Sequence, residues 1–256
     1  MVFPAFLESL LSQHSQVGGY GQAALSHLWR SFTKRFLLTI LVSIRRAKLA
    51  SAGILGRLNR GRICRIGALI MQEAVQWVDW DGNGLEYCVC QSGPDGIKLE
   101  GVVIGTRHGH YGGSYLVMTD AMFATREVKV SYVGGENMHV TSDGKGTWFD
   151  CIAKQELPSL SGCFDVDIGI TPATNMLPIK RLKLVEGEAR DVLAAYVPLP
   201  SQIEGDFLPR SARQRYTCLV PGRLYSYEGL FRNFAAELEI DDVGLVTDYP
   251  DTFRRV

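Results

Sequence analysis

The sequence contains no run of eighteen apolar residues, and only six cysteines and five histidines occur among its 256 residues. A helix needs about 20 apolar residues to cross a bilayer, so we expect no membrane-spanning helix. Six cysteines in a chain of this length are too few for a disulfide-dense secreted scaffold. The 27 basic and 27 acidic residues cancel, and a chain without net charge is not typical of a nucleic-acid-binding protein.

The charge is distributed unevenly along the chain. Residues 1–75 contain ten lysines and arginines but only two acidic residues, Glu8 and Glu73. Residues 76–256 contain the other 17 basic and 25 acidic residues. The neutral total therefore combines a basic segment with an acidic one, and the composition changes between residues 68 and 76. We predict a basic N-terminal extension, residues 1–73, followed by one domain, residues 74–256.

The basic extension contains a single apolar run at residues 36–44, with arginines and lysines on both sides. Nine helical residues span only about 14 Å, which is too short to cross a bilayer. Three interpretations remain, and we favour them in this order. The extension is dispensable or precedes a true start at Met71, it is an organelle transit peptide, or it is a basic helix on a membrane surface. The first predicts a cytoplasmic protein and the second a mitochondrial one.

A shortened chain that begins at Met71 is expected to fold and to remain soluble. The reason is that the β-rich part of the sequence follows this residue, whereas the basic segment precedes it. Far-ultraviolet circular dichroism and gel filtration of residues 71–256 would measure both properties. An unfolded or insoluble product would contradict the division of the chain.

Residues 85–240 consist of short β-rich runs separated by turn signals such as Asp81-Gly-Asn-Gly84 and Pro221-Gly222. The runs are residues 85–91, 97–104, 115–122, 127–132, 147–151, 164–170, 192–197, 213–219, 223–227 and 235–240. Ten or more short strands at this spacing predict an all-β fold, with an antiparallel sheet that is closed or half-open like a β-barrel. Only residues 174–184 have room for a short helical turn. The extension is predicted to be helical or disordered.

Motifs for metal binding or catalysis are incomplete or missing. Residues 79–84 match the start of a calcium loop, but its twelfth position is Cys90, so we predict a turn. His108 and His110 lie in a Gly-rich hairpin tip without a third ligand, and we predict no metal there. Cys88 and Cys90 share one strand face and are predicted to be buried and reduced. Neither Gly-x-Ser-x-Gly nor a phosphate-binding glycine loop occurs, and we predict no cofactor.

Several strands alternate between apolar and polar residues, which predicts a sheet with one packed face and one solvated face. In residues 164–170 this alternation places Asp165 and Asp167 opposite the apolar side chains, and in residues 213–217 it separates Arg213 and Arg215 from Tyr216. The domain also contains nine tyrosines and three tryptophans. These rings either form the core of the sheet, which we favour, or line a cavity for an amphiphile.

From Trp77 onward the chain resembles the putative glycolipid-binding family. The resembling segments are WDGNGLEYC (80–88), DGIKLEGVVIG (95–105), ATREVKV (124–130), LSGCFDVDI (160–168), TPATNMLPIKR (171–181), RQRY (213–216), DYP (248–250) and RR (254–255). They follow the family's order and cover residues 74–256 but not residues 1–70. The resemblance implies a β-barrel-like antiparallel sheet, similar to bacterial carriers that hold lipids or lipidated proteins in an open apolar cavity. The loop at residues 107–114 is longer than the family's pattern, so we do not expect a binding site in it.

This resemblance leads us to predict that the domain binds a lipid-like or glycolipid amphiphile without catalysis. An apolar lining would accept the chain, and polar residues at the mouth of the cavity would hold the head group. The candidate ligand-binding residues are Arg126, Asp165, Asp167, Asn175, Arg181, Arg213, Arg215 and Tyr216. Arginines would bind phosphate or carboxylate, and the acids and the amide would bind sugar hydroxyls. Each residue could instead form an internal pair, for example Arg213 or Arg215 with Asp165 or Asp167.

The alternative is an enzyme that acts on a polar or sugar-containing substrate in the same cavity. Asp165 with Asp167, or Glu237 with Glu239, would lie about 7 Å apart on one strand face. Such pairs could supply acid–base catalysis if their pKa values differed. A deep apolar cavity favours binding, and carboxylates that converge in a polar cleft favour catalysis. The acidic domain is not expected to bind nucleic acid or anionic membranes.

Overall fold

A computed structural model describes residues 70–256, which form a fifteen-stranded sheet, one α-helix and three short 3-10 helices. The strands are β1 (Met71–Asp79), β2 (Leu85–Gly93), β3 (Gly96–Gly105), β4 (Tyr111–Thr119), β5 (Thr125–Tyr132), β6 (Asn137–Ser142), β7 (Trp148–Asp150), β8 (Gln155–Glu156), β9 (Asp165–Ile168), β10 (Ala189–Val197), β11 (Arg210–Val220), β12 (Leu224–Gly229), β13 (Phe234–Ile240), β14 (Val246–Tyr249) and β15 (Phe253–Arg255). The helix is α1 (Met176–Leu182), and the 3-10 helices are Pro158–Leu160, Ala173–Asn175 and Pro200–Gln202. The conformation predicted for the extension falls almost entirely outside the described residues.

The sheet is antiparallel except where β9 joins β10, and its strand order is β8 to β1, then β15 down to β9. β1 pairs with both β2 and β15, so the first and last strands of the domain are neighbours. Its two sides approach each other at β5 and β9, where Thr125 N donates to Phe164 O at 2.9 Å and Val166 N donates to Thr125 Oγ1 at 3.1 Å. The predicted all-β, barrel-like sheet is confirmed. Of the two predicted forms, closed and half-open, it has the half-open one, because no continuous ladder joins these sides within residues 70–256.

Glycines in β3 determine how two tyrosines of β4 pack. A Cβ atom on Gly101 would lie 2.4 Å from the ring of Tyr115, and one on Gly105 would lie 2.1 Å from the ring of Tyr111. Both rings therefore cross β3 where it has no side chain, a packing that any larger residue would prevent. The Tyr115 hydroxyl reaches Glu86 of β2 in this way.

The concave face of the sheet is covered by the chain between β9 and β10. We call residues 169–182 the plug. Every residue from Ile170 to Ile179 is buried, and the plug bonds to the sheet on opposite sides. Thr171 Oγ1 donates to Glu86 Oε1 of β2 at 2.6 Å, and Tyr216 Oη of β11 donates to Asn175 Oδ1 at 3.0 Å. The helical turn predicted in residues 174–184 is therefore confirmed as α1, which packs inside the curved sheet.

The structure differs from the sequence prediction in several strands. No strand was predicted at the positions of β1, β6, β8, β14 and β15. In addition, β1 begins three residues before the predicted domain boundary. The predicted solvated face of residues 164–170 is wrong, because Asp165 is only 1% exposed. β9 lies between β10 and the start of β5, and Arg181 of the plug covers its aspartate.

The expectation about membrane-spanning helices concerns helix length. In the part of the chain that the structure describes, no helix has the length and apolar character needed to cross a bilayer.

The turn predicted at residues 79–84 is confirmed. Asp79 Oδ1 accepts hydrogen bonds from the backbone N–H groups of Asn83 at 2.7 Å and Gly84 at 2.8 Å, which closes the β1–β2 hairpin. Cys88 and Cys90 are both buried and free, as predicted. His108 and His110 are exposed in the β3–β4 connection.

Candidate ligand-binding site

Four of the eight predicted site residues form two bonded pairs in the interior. Arg181 of α1 binds Asp165 of β9 with two nitrogens, Nε to Oδ1 at 2.9 Å and Nη2 to Oδ2 at 2.6 Å. Burial raises the pKa of Asp165, and Arg181 opposes that shift by stabilising the carboxylate. Tyr216 and Asn175 are both buried and bond to each other. These groups hold the plug against the sheet.

Three other predicted residues lie on the outside of the domain. Arg213 and Arg215 are exposed to solvent to a large degree and share Asp191 of β10, with nitrogen–oxygen distances of 3.3 and 2.6 Å. Their partner is thus neither Asp165 nor Asp167, because side chains at these positions of β11 point away from the core. Arg126 is also exposed, and its Nε donates to Ser142 O at 2.9 Å.

The carboxylate pairs that the catalytic alternative requires do not converge in a polar cleft. Asp165 is fully engaged by Arg181. Glu237 and Glu239 are exposed on β13, on the opposite face from buried Leu238. Asp167 therefore has no second free carboxylate beside it among these candidates.

Asp167, the eighth predicted residue, lies at the end of the sheet where β9 passes into the plug. It is half-buried, faces Tyr196 in the β9–β10 pairing, and accepts a hydrogen bond from Gln214 Nε2 at 2.6 Å. Burial raises the pKa of Asp167, while the positive charges of Arg232 and Arg107 and the bond from Gln214 oppose this shift. Asp167 is thus a partly accessible carboxylate that one side-chain hydrogen bond and the charges of two arginines stabilise.

The two arginines are placed by loops and by aromatic rings. The guanidinium of Arg232, in the β12–β13 connection, lies 5.5 Å from the ring centre of Tyr196, 5.1 Å from that of Phe231 and 5.3 Å from that of Phe234. Arg107, in the β3–β4 connection, lies 4.9 Å from the ring centre of Phe253 and donates from Nη1 to Gly169 O at 3.0 Å. Such cation–π contacts hold a guanidinium in place and leave some of its N–H donors free.

The hydroxyl of Tyr227 completes this group of side chains. Tyr227 is 1% exposed, and its Oη has no hydrogen-bond partner among residues 70–256. The centre of its ring lies 5.3 Å from that of Tyr216 and 6.2 Å from that of Phe234, which in turn contacts Arg232. Burial and the Asp167 charge raise the pKa of Tyr227, so the hydroxyl is neutral. We call Arg107, Asp167, Tyr196, Gln214, Tyr227 and Arg232 the mouth cluster.

Five members of the mouth cluster were absent from the sequence prediction. Arg107 lies in the loop where no site was expected, and Arg232 lies in a turn with no recognisable motif. Gln214 is the one member with a signal, because it alternates with the predicted outward arginines of β11 and therefore had to face inward. The others are brought together only by contacts between segments far apart in the chain.

Comparisons with known proteins agree with this fold. The family model described as "Putative glycolipid-binding" matches residues 74–255. A DUF1089 family protein from Pseudomonas aeruginosa, known from a crystal structure at 1.80 Å resolution, is similar in structure, with a TM-score of 0.55 and 29% sequence identity. The match covers 79% of the present chain and 100% of that chain. No curated protein matches the sequence.

Proposed function

Because the chain belongs to the family described as "Putative glycolipid-binding", we propose that its mouth cluster binds the polar head group of an amphiphile, without catalysis. The observation that carries this proposal is the half-buried carboxylate of Asp167, which Gln214 binds at 2.6 Å and on which the charges of Arg107 and Arg232 act. Both arginines lie against aromatic rings. Charged groups beside exposed apolar side chains are suited to an amphiphilic ligand, because the charges bind its head group and the apolar side chains contact its alkyl chain.

Each member of the mouth cluster has a distinct part in the proposed complex. Asp167 accepts hydrogen bonds from head-group hydroxyls, and Arg232 donates to head-group oxygens. The buried Tyr227 ring packs against Phe234, which contacts Arg232, and so supports this arginine from inside the domain. Phe231, which is 42% exposed and lies against Arg232, offers its ring to the apolar side of a sugar.

The plug limits where the alkyl chain of the ligand can lie. Its side chains occupy the concave face of the sheet from Ile170 to Ile179, the region where an enclosed chain would need space. In the proposed complex the alkyl chain extends from the mouth cluster across Leu230 and Phe231, two exposed apolar side chains next to Arg232. The protein then binds the head group, and most of the alkyl chain of the ligand lies outside the sheet.

Binding of two soluble glycosides, octyl glucoside and dodecyl maltoside, tests the proposal below their micelle-forming concentrations. Isothermal titration calorimetry is expected to detect binding to the wild-type chain. Asp167→Ala or Arg232→Ala should weaken it about ten- to hundredfold, because a hydrogen bond to a charged group is worth about 1.5–3 kcal/mol. Dodecylphosphocholine provides a comparison with the same alkyl chain as the maltoside but without a sugar.

Arg213→Ala is the matched control, because Arg213 is an exposed arginine on the outer face. It is expected to leave glycoside binding unchanged. The proposal would be overturned if wild-type protein bound none of the probes, or if Arg213→Ala weakened binding as much as Arg232→Ala. Native mass spectrometry of protein purified from its own host would then show whether any amphiphile is carried.

A further inference from the structure

Glu86 joins the wall of the sheet to the plug through one of its two carboxyl oxygens. The residue lies on β2, points inward and is 2% exposed. Its Oε1 accepts hydrogen bonds from Tyr115 Oη of β4 at 2.5 Å and from Thr171 Oγ1 of the plug at 2.6 Å. The two hydroxyls lie 3.2 Å apart. A carboxyl group thus connects β2, β4 and the plug at a single atom.

The other oxygen of Glu86 is bonded to nothing within residues 70–256. Oε2 is buried without a hydrogen-bond partner, and Glu86 borders a cavity of about 10 Å³ that Asp79, Tyr111 and Phe253 also line. This volume is close to the space that a single water needs. An ionised carboxylate with one bare buried oxygen is costly, whereas a protonated carboxyl can donate from that oxygen.

The other titratable groups around Glu86 keep one charge state across the neutral range. Burial raises the pKa of Cys88, on the same strand, to about 12, and that of Tyr111 to about 12. Burial likewise holds the pKa of Tyr115 well above its usual value. Although burial acts in the opposite direction, hydrogen bonds from Thr106, Gly84 and Asn83 keep the pKa of Asp79 below its usual value. Asp79 is therefore ionised, and the cysteine and both tyrosines are neutral.

We propose that Glu86 is a carboxylic acid at neutral pH, that its Oε2 donates its proton to one water in this cavity, and that this neutral group locks the plug to β2 and β4. The lock is a proton-binding site separate from the mouth cluster. Loss of the proton places an unpaired charge in the core and weakens the attachment of the plug.

The proposal predicts that the stability contributed by Glu86 decreases as the pH rises. Burial raises the pKa of Glu86 from 4.5 to about 8, although hydrogen bonds from Thr171 and Tyr115 act against the shift. The folded state therefore binds the proton more tightly than the unfolded state. The stabilisation is complete below about pH 4.5 and is lost as the pH rises through about 8, with a tenfold change in the unfolding constant per pH unit.

The test compares the full-length wild-type chain with Glu86→Gln in denaturant titrations between pH 5 and 9. Glutamine keeps an oxygen for Tyr115 and Thr171 and an N–H donor toward the cavity, but it has no proton to lose. We expect the unfolding constant of the wild type to rise about tenfold per pH unit relative to the variant, up to about pH 8. The proposal would be overturned if the unfolding constants of the two proteins changed equally with pH.

Two further measurements keep the test decisive if Glu86→Gln does not fold. Infrared spectroscopy of the wild type should show the carbonyl band of a buried carboxylic acid at pH 6 that disappears above pH 9. Absence of the band at pH 6 would refute the protonated state. Hydrogen exchange of the plug amides, corrected for intrinsic rates, should accelerate above pH 8 more than exchange in β12, and equal acceleration would refute the lock.

Two substitutions of Thr171 test the hydrogen bond between its hydroxyl and Glu86. Thr171→Val removes the hydroxyl at nearly constant volume and is expected to raise the pH at which Glu86 titrates, because the lost hydrogen bond favours the ionised form. Thr171→Ser keeps the hydroxyl and is expected to leave the midpoint unchanged. Identical midpoints in both variants would contradict the assigned contact.

Discussion

Replacing Arg181 with methionine is expected to lower the free energy of unfolding at pH 7 by about 3–5 kcal/mol, the cost of leaving one partner of a buried ion pair without the other. Asp165 is 1% exposed, and Arg181 supplies both of its short hydrogen bonds. Methionine keeps much of the apolar stem of arginine, so that lost packing contributes little. Equilibrium denaturation in guanidinium chloride would measure the difference.

The loss in Arg181→Met should depend on pH in one direction. Without the guanidinium, burial raises the pKa of Asp165 further above its unfolded value, so the variant recovers stability as the pH falls and the carboxyl becomes neutral. Adding Asp165→Asn to the variant should restore much of the stability at pH 7. Equal losses at pH 4 and pH 7 would show that the charge of Asp165 is not the cause.

Arg213→Met provides a control for the loss of an arginine from an ion pair. Arg213 is exposed and pairs with Asp191 at 3.3 Å on the outer face of the sheet. Because solvent screens such a pair, this variant is expected to unfold at the same denaturant concentration as the wild type. A large effect here would mean that surface pairs contribute more to this fold than their exposure indicates.

The fold class could be predicted because its signals are local. Alternation along β11 correctly separated the outward arginines from Gln214 and Tyr216, and the turns between strands carry glycine and proline. β8, β14 and β15 have only two to four residues each, too few to show an alternation. Their place in the sheet depends on pairing with longer strands.

The partners of charged residues could not be predicted from the same pattern. The sequence identified Asp165 and Arg181 as candidates for a ligand, but their mutual bond depends on the plug folding back against β9. Arg107 and Arg232, whose charges act on Asp167, lie in two connections that are far apart in the chain. Spacing along a strand contains no information about such contacts, so only Asp167 of the mouth cluster was predicted.

The position of the plug could not be predicted from the sequence either. Residues 170–179 are apolar or small with two prolines, which indicated only a short helical turn. Such a composition is compatible with a surface loop, with the core or with the rim of a cavity. The buried glycine contacts of β3 and the hydroxyl bonds to Glu86 specify where the segment lies, and they involve β2, β3 and β4.

Leu177→Ala in the plug is expected to lower the free energy of unfolding by about 3–5 kcal/mol, because it removes a fully buried side chain and leaves a cavity. Leu230→Ala, at a 38% exposed position, is the control and should cost much less. Denaturant titration of both variants would measure the difference. A loss in Leu177→Ala no larger than the loss in Leu230→Ala would mean that the plug is loosely attached.

The same variant bears on how the protein holds an amphiphile. If the plug is an integral part of the core, the cavity in Leu177→Ala should bind a small apolar molecule such as benzene, which would raise the melting temperature of the variant but not of the wild type. Glycoside affinity at the mouth cluster should be unchanged, because the head group does not enter the space behind the plug. If Leu177→Ala instead bound dodecyl maltoside more tightly than octyl glucoside by a margin that the wild type lacks, the alkyl chain would enter the sheet by displacing the plug. The proposed course of the chain over Leu230 and Phe231 would then be wrong.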